Sequence, residues 1–307
     1  MWVLKRVQIE RGYNNYLRNF ASNVTSQTGE DGIIEKIFSI IPATTRCCAE
    51  FGAWDGKEFS NTWNLIHNRN WRAVLIEADQ DRYAELVDNN RGRQDVLCLN
   101  KKVDLEGPDC LDNILAGTDI PVEFDLLSID IDGNDYYVWE SLVNYRPKLV
   151  IIEFNLTIPN DIVFIQDKDM SVNQGCSLSA LIELGKAKGY ELIAVTEING
   201  FFIQEKYLSF FDIPDNRIDC MFDQSKYETK IFQLFDGTLV LEGLKKLLWH
   251  GNEITDEGIQ VLAPHERVYP DRVREGIKQS TRKRSFISLC RGMFSRSFVK
   301  KLWIYKR

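Results

Sequence analysis

The sequence predicts an α/β fold whose sheet is mostly parallel, closes with an antiparallel hairpin, and is followed by a C-terminal extension. Three observations carry this. Apolar runs at 46–51, 72–77, 95–99, 124–130 and 148–154 alternate with helix-patterned segments near 60–68, 79–90, 109–116 and 135–143, which argues for βαβ units. A helix from Leu178 to Lys188, with Gly189 as its C-cap, then leads into two more strands, Tyr190–Ile198 and Phe201–Tyr207, joined by Asn199-Gly200. Asn-Gly between apolar runs is a strong hairpin signal. Finally, the parallel strands end in glycines and acids, the position at which open α/β sheets bind ligands.

Taken in order, residues 1–45 read as a helical lead-in. Ser26-Gln27-Thr28-Gly29-Glu30-Asp31-Gly32 is a polar turn, Ile33, Ile34, Ile37, Phe38 and Ile41 follow at helical spacing, and Pro42 ends the helix. Residues 46–207 form the sheet domain and 208–307 the extension. Residues 156–176, a polar loop, and 208–250 are expected to supply a lid. Within the extension, Ile231–Phe235 and Thr238–Leu241 around Asp236-Gly237 read as a second hairpin, and Leu244–Trp249 as a short amphipathic helix.

With 307 residues, 44% hydrophobic and 27% charged, the chain has the composition of a globular protein with a full core. No apolar run reaches the roughly 18 residues of a membrane span, and Met1–Arg6 shows no secretory pattern. Seven cysteines without a CxxC pair read as reduced thiols, which sets a cytoplasmic expectation. The net charge of −7 is uneven: residues 272–307 hold 12 Lys/Arg and one acid, +11, leaving −18 on the rest. Phe286, Leu289, Cys290, Met293, Phe294, Phe298, Leu302 and Tyr305 recur at helical spacing among the basic residues of 282–307. Two readings stay open for this tail. It contacts an anionic membrane surface, making the protein peripheral to the inner membrane face, or it packs on the acidic body. Nucleic acid is disfavoured because the body would repel phosphate.

The most informative stretch is Glu50-Phe51-Gly52-Ala53-Trp54-Asp55-Gly56. Glycines there let a backbone loop approach a ligand. Glu77, which ends the next strand, lies 21 residues after Gly56, the range for a carboxylate that grips a ribose. Together they suggest an adenosine-bearing cofactor. Asp130 and Asp132 end the fourth strand, with Glu153 and Asn155 on the fifth. Carboxylates converging on one rim need a cation, a substrate hydroxyl or raised pKa values. An EF-hand fails on spacing, because its sixth and twelfth positions would be Asp135 and Ser141. A metal-dependent DxD glycosyltransferase using a nucleotide sugar and capping of the helix near Asp135 both remain open. An NAD-dependent oxidoreductase would want G-x-G-x-x-G, which is absent. His67, His250 and His265 read as surface or capping residues, His67 being the better candidate base because it follows the glycine loop.

The ordered set Glu50–Gly56, Ile76-Glu77, Ile129-Asp130-Ile131-Asp132-Gly133 and Ile152-Glu153-Phe154-Asn155, preceded by the Ser26–Asp31 turn, resembles FkbM-type methyltransferases over residues 22–205. Two positions depart from that pattern: Trp54 replaces a small residue, and Asp-Gly-Asn stands where Glu-Gly is common. The resemblance implies a Rossmann-like class I methyltransferase sheet, S-adenosylmethionine as cofactor, and O-methylation of a hydroxyl on a sugar, glycan or secondary metabolite. Glu50, Gly52, Trp54, Gly56, Glu77, Asp104 and Asp130 would then be the cofactor-binding residues. Gly52 and Gly56 would approach the methionine part, Glu77 would accept from the ribose hydroxyls, and Asp104 or Asn100 would lie near the adenine. Trp54 would wall the pocket or pack the sheet edge. Asp130, Asp132 and Glu153 would be the catalytic candidates, as acceptors of a proton or as ligands of a divalent metal such as magnesium.

Overall fold

The computed structural model describes residues 14–269; the basic tail and the first part of the lead-in lie outside them. The chain divides into two compact units, residues 1–228 and 229–307.

In the first unit, helices and strands alternate as α1 (Glu30–Ile40), β1 (Cys47–Phe51), α2 (Trp63–Arg69), β2 (Arg72–Glu77), α3 (Gln80–Asn89), β3 (Val96–Asn100), α4 (Leu111–Ala116), β4 (Leu126–Ile129), α5 (Asp135–Ser141), β5 (Leu149–Glu153), α6 (Leu178–Ala187), β6 (Tyr190–Val195), β7 (Asn199–Gln204) and α7 (Ile218–Met221). The seven strands form one sheet in the order β3-β2-β1-β4-β5-β7-β6. β1 to β5 are parallel, while β7 runs antiparallel to both β5 and β6. This is the expected mostly parallel sheet with an antiparallel terminal hairpin. β1, β4 and β5 are almost wholly buried along their length, because helices cover both faces of a parallel sheet.

One face is filled by Cys48, Leu75, Leu126, Ile151 and Ile203 against Ile33, Ile34 and Ile37 of α1 and Leu65 and Ile66 of α2. On the α5–α6 side, Trp139 packs on Tyr190 and Phe202, with ring centroids 5.7 and 5.0 Å apart. At the N-terminal ends of β4 and β5, Lys148 and Asp125 form a buried pair at 2.9 Å. Asp125 also accepts from the Thr44, Thr45 and Arg46 amides, so its charge is fully answered, as burial requires.

Two local expectations are corrected. Asn199-Gly200 is not the hairpin turn: both residues belong to β7, and the chain reverses through Thr196–Ile198, where Thr196 N–H donates to the Asn199 carbonyl at 2.9 Å. The reason is tertiary. The Asn199 amide donates to the buried Glu30 carboxylate at 3.1 Å, which pulls the residue out of the turn and into the strand.

The second unit is built on the hairpin β8 (Thr229–Gln233) and β9 (Leu239–Gly243), paired from Thr229↔Gly243 to Gln233↔Leu239, with Asp236-Gly237 at its tip as expected. Leu244–Trp249 is not a helix. The Ile254 amide donates to Lys245 and the Leu247 amide to Asn252, so the segment forms a short bridged loop, and Trp249 stays 63% exposed. Among the described residues, no helix is long and apolar enough to cross a membrane.

Candidate functional site

Strand register decides which side chains meet. Leu75 pairs with Glu50, Glu50 with Ser128, and Ser128 with Ile151. Side chains repeat every two residues along a strand, so one step toward the C-terminal rim the same face carries Glu77, Gly52, Asp130 and Glu153. Asn100 flanks Glu77 in the register and Asn199 flanks Glu153. The strands are about 4.8 Å apart, so Glu77 and Asp130 stand about 10 Å from each other, separated by a residue with no side chain.

Gly52 must be glycine. Its φ is +69°, and a Cβ would stand 1.6 Å from the Asp130 carbonyl oxygen. The loop that follows is tied down at both ends. The Trp54 amide donates to Glu77 Oε2 at 2.8 Å, and the Asp79 amide donates to Oε1 at 2.7 Å. One acceptor position on each oxygen is thereby used and one remains. Glu50 is buried and accepts from the Ser60 hydroxyl at 2.6 Å, the Thr62 hydroxyl at 2.7 Å and the Asn61 amide at 2.9 Å. Burial still raises its pKa against those bonds. Glu50 therefore fastens the loop rather than presenting a free carboxylate to the rim.

Trp54 lies half exposed beside α3. Its backbone is left-handed at φ 51°, the residue is 45% exposed, and the Arg82 guanidinium of α3 lies 4.1 Å from the ring centroid. Asn100 donates to the Glu77 carbonyl at 2.9 Å, bracing the two strand ends. Asp104 is exposed and its carboxylate accepts from the next amide, Leu105, at 2.8 Å. His67 stacks on Trp63 with centroids 4.3 Å apart and meets Asn90 Oδ1 at 3.1 Å. Burial pushes its pKa down.

At the other end of the row, oxygens of Asp130, Asp132 and Glu153 all lie within 4.8 Å of one another. The Asp130 and Glu153 carboxyls therefore face each other at close range. Burial, then the charges of Asp135, Asp132 and Glu50, raise Asp130 well above the usual carboxylate range. Burial and the Asp130 charge push Glu153 up to about 10. Two carboxyls this close share one proton, and a hard divalent cation would satisfy the same oxygens.

The turn that aims these acids is held by a residue the sequence reading placed only at a helix start. Asp135 is buried, and its two oxygens accept from the Ile131 and Gly133 amides, both at 2.9 Å. Between those amides Asp132 adopts a left-handed φ of 56°. Gln166 was missed as well. Its buried side-chain oxygen accepts from the Gln174 and Gly175 amides, and its amide donates to Val172. Asn134 reaches the Asp169 carbonyl at 3.1 Å. The polar loop 156–176 is thus fastened over the acid-bearing turn, and Gln166 sits in no sequence pattern that would mark it. The upstream turn also reaches the rim. Glu30 accepts from the Thr196 hydroxyl at 2.8 Å and from Asn199, while Asp31 Oδ2 gathers the Val24, Thr25 and Ser26 amides.

The Glu153 pKa gives a prediction. Between its ordinary 4.5 and about 10, the folded protein keeps a proton that the unfolded chain releases, so stability falls as pH rises through that window. Glu153→Gln is expected to flatten this slope and to raise the thermal midpoint above pH 8, measured by calorimetric scans from pH 5 to 9 in chelator. An unchanged slope would show that Glu153 titrates normally.

No family model matches the chain, and no curated protein does. Among solved structures, a S-adenosylmethionine-dependent methyltransferase from Clostridium acetobutylicum is similar at 11% identity and a TM-score of 0.36, covering 57% of this chain and 89% of that one. A SAM-dependent methyltransferase from Aquifex aeolicus is similar at 9% and 0.34, covering 62% and 96%. TrmK of M. capricolum, in complex with S-adenosyl-homocysteine, is similar at 11% and 0.34, covering 55% and 67%. At these values the likenesses do not bear on this chain's chemistry.

Proposed function

We propose that this chain transfers a methyl group from S-adenosylmethionine to a hydroxyl of a sugar or another small-molecule acceptor. The observation that carries this reading is the rim row Glu77–Gly52–Asp130–Glu153, with a side-chain-free position between a carboxylate suited to ribose and a pair of carboxyls beyond it. Glu77 keeps one acceptor position on each oxygen for two ribose hydroxyls. Gly52 and Gly56 open the backbone to the methionine part, and the acids around Asp130 favour a cation at its side. When bound, the cofactor supplies an electrophilic methyl group on a sulfonium. The protein's part is to hold donor and acceptor in line and to deal with the hydroxyl proton. The ionised member of the Asp130–Glu153 pair would accept that proton. With Asp132, they are also the residues that would hold a divalent cation such as magnesium, which would polarise the acceptor oxygen.

Calorimetric titration tests the reading. S-adenosylmethionine is expected to bind, and Glu77→Ala to weaken it about 100-fold or more, since two hydrogen bonds to a charged acceptor are lost. Glu77→Gln, which keeps one acceptor oxygen, should fall between. Binding of NAD alone would move the chain to oxidoreduction. Binding of a uridine-diphosphate sugar with manganese would move it to glycosyl transfer.

A further inference from the structure

The second unit turns a concentration of large apolar side chains outward at one end. Its hairpin tip carries Phe235, 90% exposed, whose ring meets Tyr269 edge-on with centroids 6.5 Å apart. Val268, beside Tyr269, is 62% exposed and Val261 is 84% exposed. Leu262 borders the same tip, because its Cδ1 lies 2.5 Å from where a Cβ on Gly237 would stand. Apolar side chains gathered this way mark a contact surface rather than ordinary scatter.

Charge names the occupant. Tyr269 leads directly into residues 272–307, with 12 Lys/Arg against one acid. Aromatic and aliphatic side chains beside a strongly basic segment are the two components of interfacial lipid binding. One inserts at headgroup depth and the other is drawn to anionic lipid. A phosphate polymer would answer the charge but would leave Val261 and Val268 in water.

We infer that the Phe235–Tyr269 end of the second unit docks on an anionic lipid surface, with the basic segment that begins three residues after Tyr269 supplying the attraction. Flotation of the full-length protein with phosphatidylcholine vesicles, with and without phosphatidylglycerol, tests this. Binding is expected with phosphatidylglycerol only, and to fade as salt is raised. Phe235→Ser combined with Val261→Ser should weaken it about tenfold or more, given what burying such side chains contributes. Phe235→Trp should preserve it. These side chains are exposed, so circular dichroism and the thermal midpoint should match the parent. The inference is overturned if the intact protein ignores phosphatidylglycerol vesicles, or if it floats equally well with the serine variant, leaving the basic segment alone responsible. It also fails if sedimentation reveals a dimer that the serine variant dissociates while vesicles are ignored, which would make a second copy the occupant.

Discussion

Gly52→Ala is expected to destabilise the first unit severely. A methyl group there would stand 1.6 Å from the Asp130 carbonyl oxygen, at a φ of +69°. Both partners are backbone, so no rotamer change relieves the contact. Left-handed backbone costs an alanine roughly 1–2 kcal/mol, and forced overpacking roughly 1–3 kcal/mol more. The sum, about 2–5 kcal/mol, is a large part of a typical domain's stability. Whatever relaxation occurs must also move Asp130, so cofactor affinity should collapse together with the unfolding midpoint. Gly107→Ala is the control. It also has a positive φ, of +80°, but no atom within 4 Å of its Cβ position, so only the conformational penalty applies. Urea unfolding of the two variants should differ by at least about 1 kcal/mol, and equal losses would mean that the Gly52 contact yields.

Asp130→Asn is expected to lower turnover about 10²- to 10⁴-fold, the range for loss of a positioned proton acceptor, without lowering stability. An amide nearly matches the carboxyl in shape, and it removes one titratable group from a cluster in which burial and three neighbouring acids already oppose ionisation. The check pairs single-turnover methyl transfer with a thermal scan. A folded variant with parental turnover would reject the catalytic assignment. A variant that loses magnesium response together with turnover would place Asp130 among metal ligands.

Much of the first unit was legible because its signals are local. Buried parallel strands read as continuous apolar runs, and Gly52, Gly56, Glu77, Asp130 and Glu153 fall at strand ends that spacing alone locates. Register then put four of those positions in one row, which no single segment reveals. What stayed illegible depends on partners distant in sequence. Asn199-Gly200 has the composition of a turn, yet Glu30, 169 residues earlier, holds Asn199 in the strand. Glu50 looked like a rim carboxylate and is consumed by its own loop. Asp135 looked like a helix start and instead clamps two amides of the preceding turn. Leu244–Trp249 has helical spacing, but bonds from Leu247 to Asn252 and from Ile254 to Lys245 close it as a loop.

The Glu50 clamp also limits how this chain can change in length. Ser60, Asn61 and Thr62 reach back 10, 11 and 12 residues to one carboxylate, and they do so across a stretch that also contains Gly52, Trp54 and Gly56. A residue inserted or deleted between positions 56 and 60 would shift three donors at once and leave a buried carboxyl unanswered. Variation should therefore accumulate as substitution within this stretch, and as altered length only where no such fastening exists. An engineer seeking to graft a longer loop near the rim would do better to leave residues 50–62 at their present count.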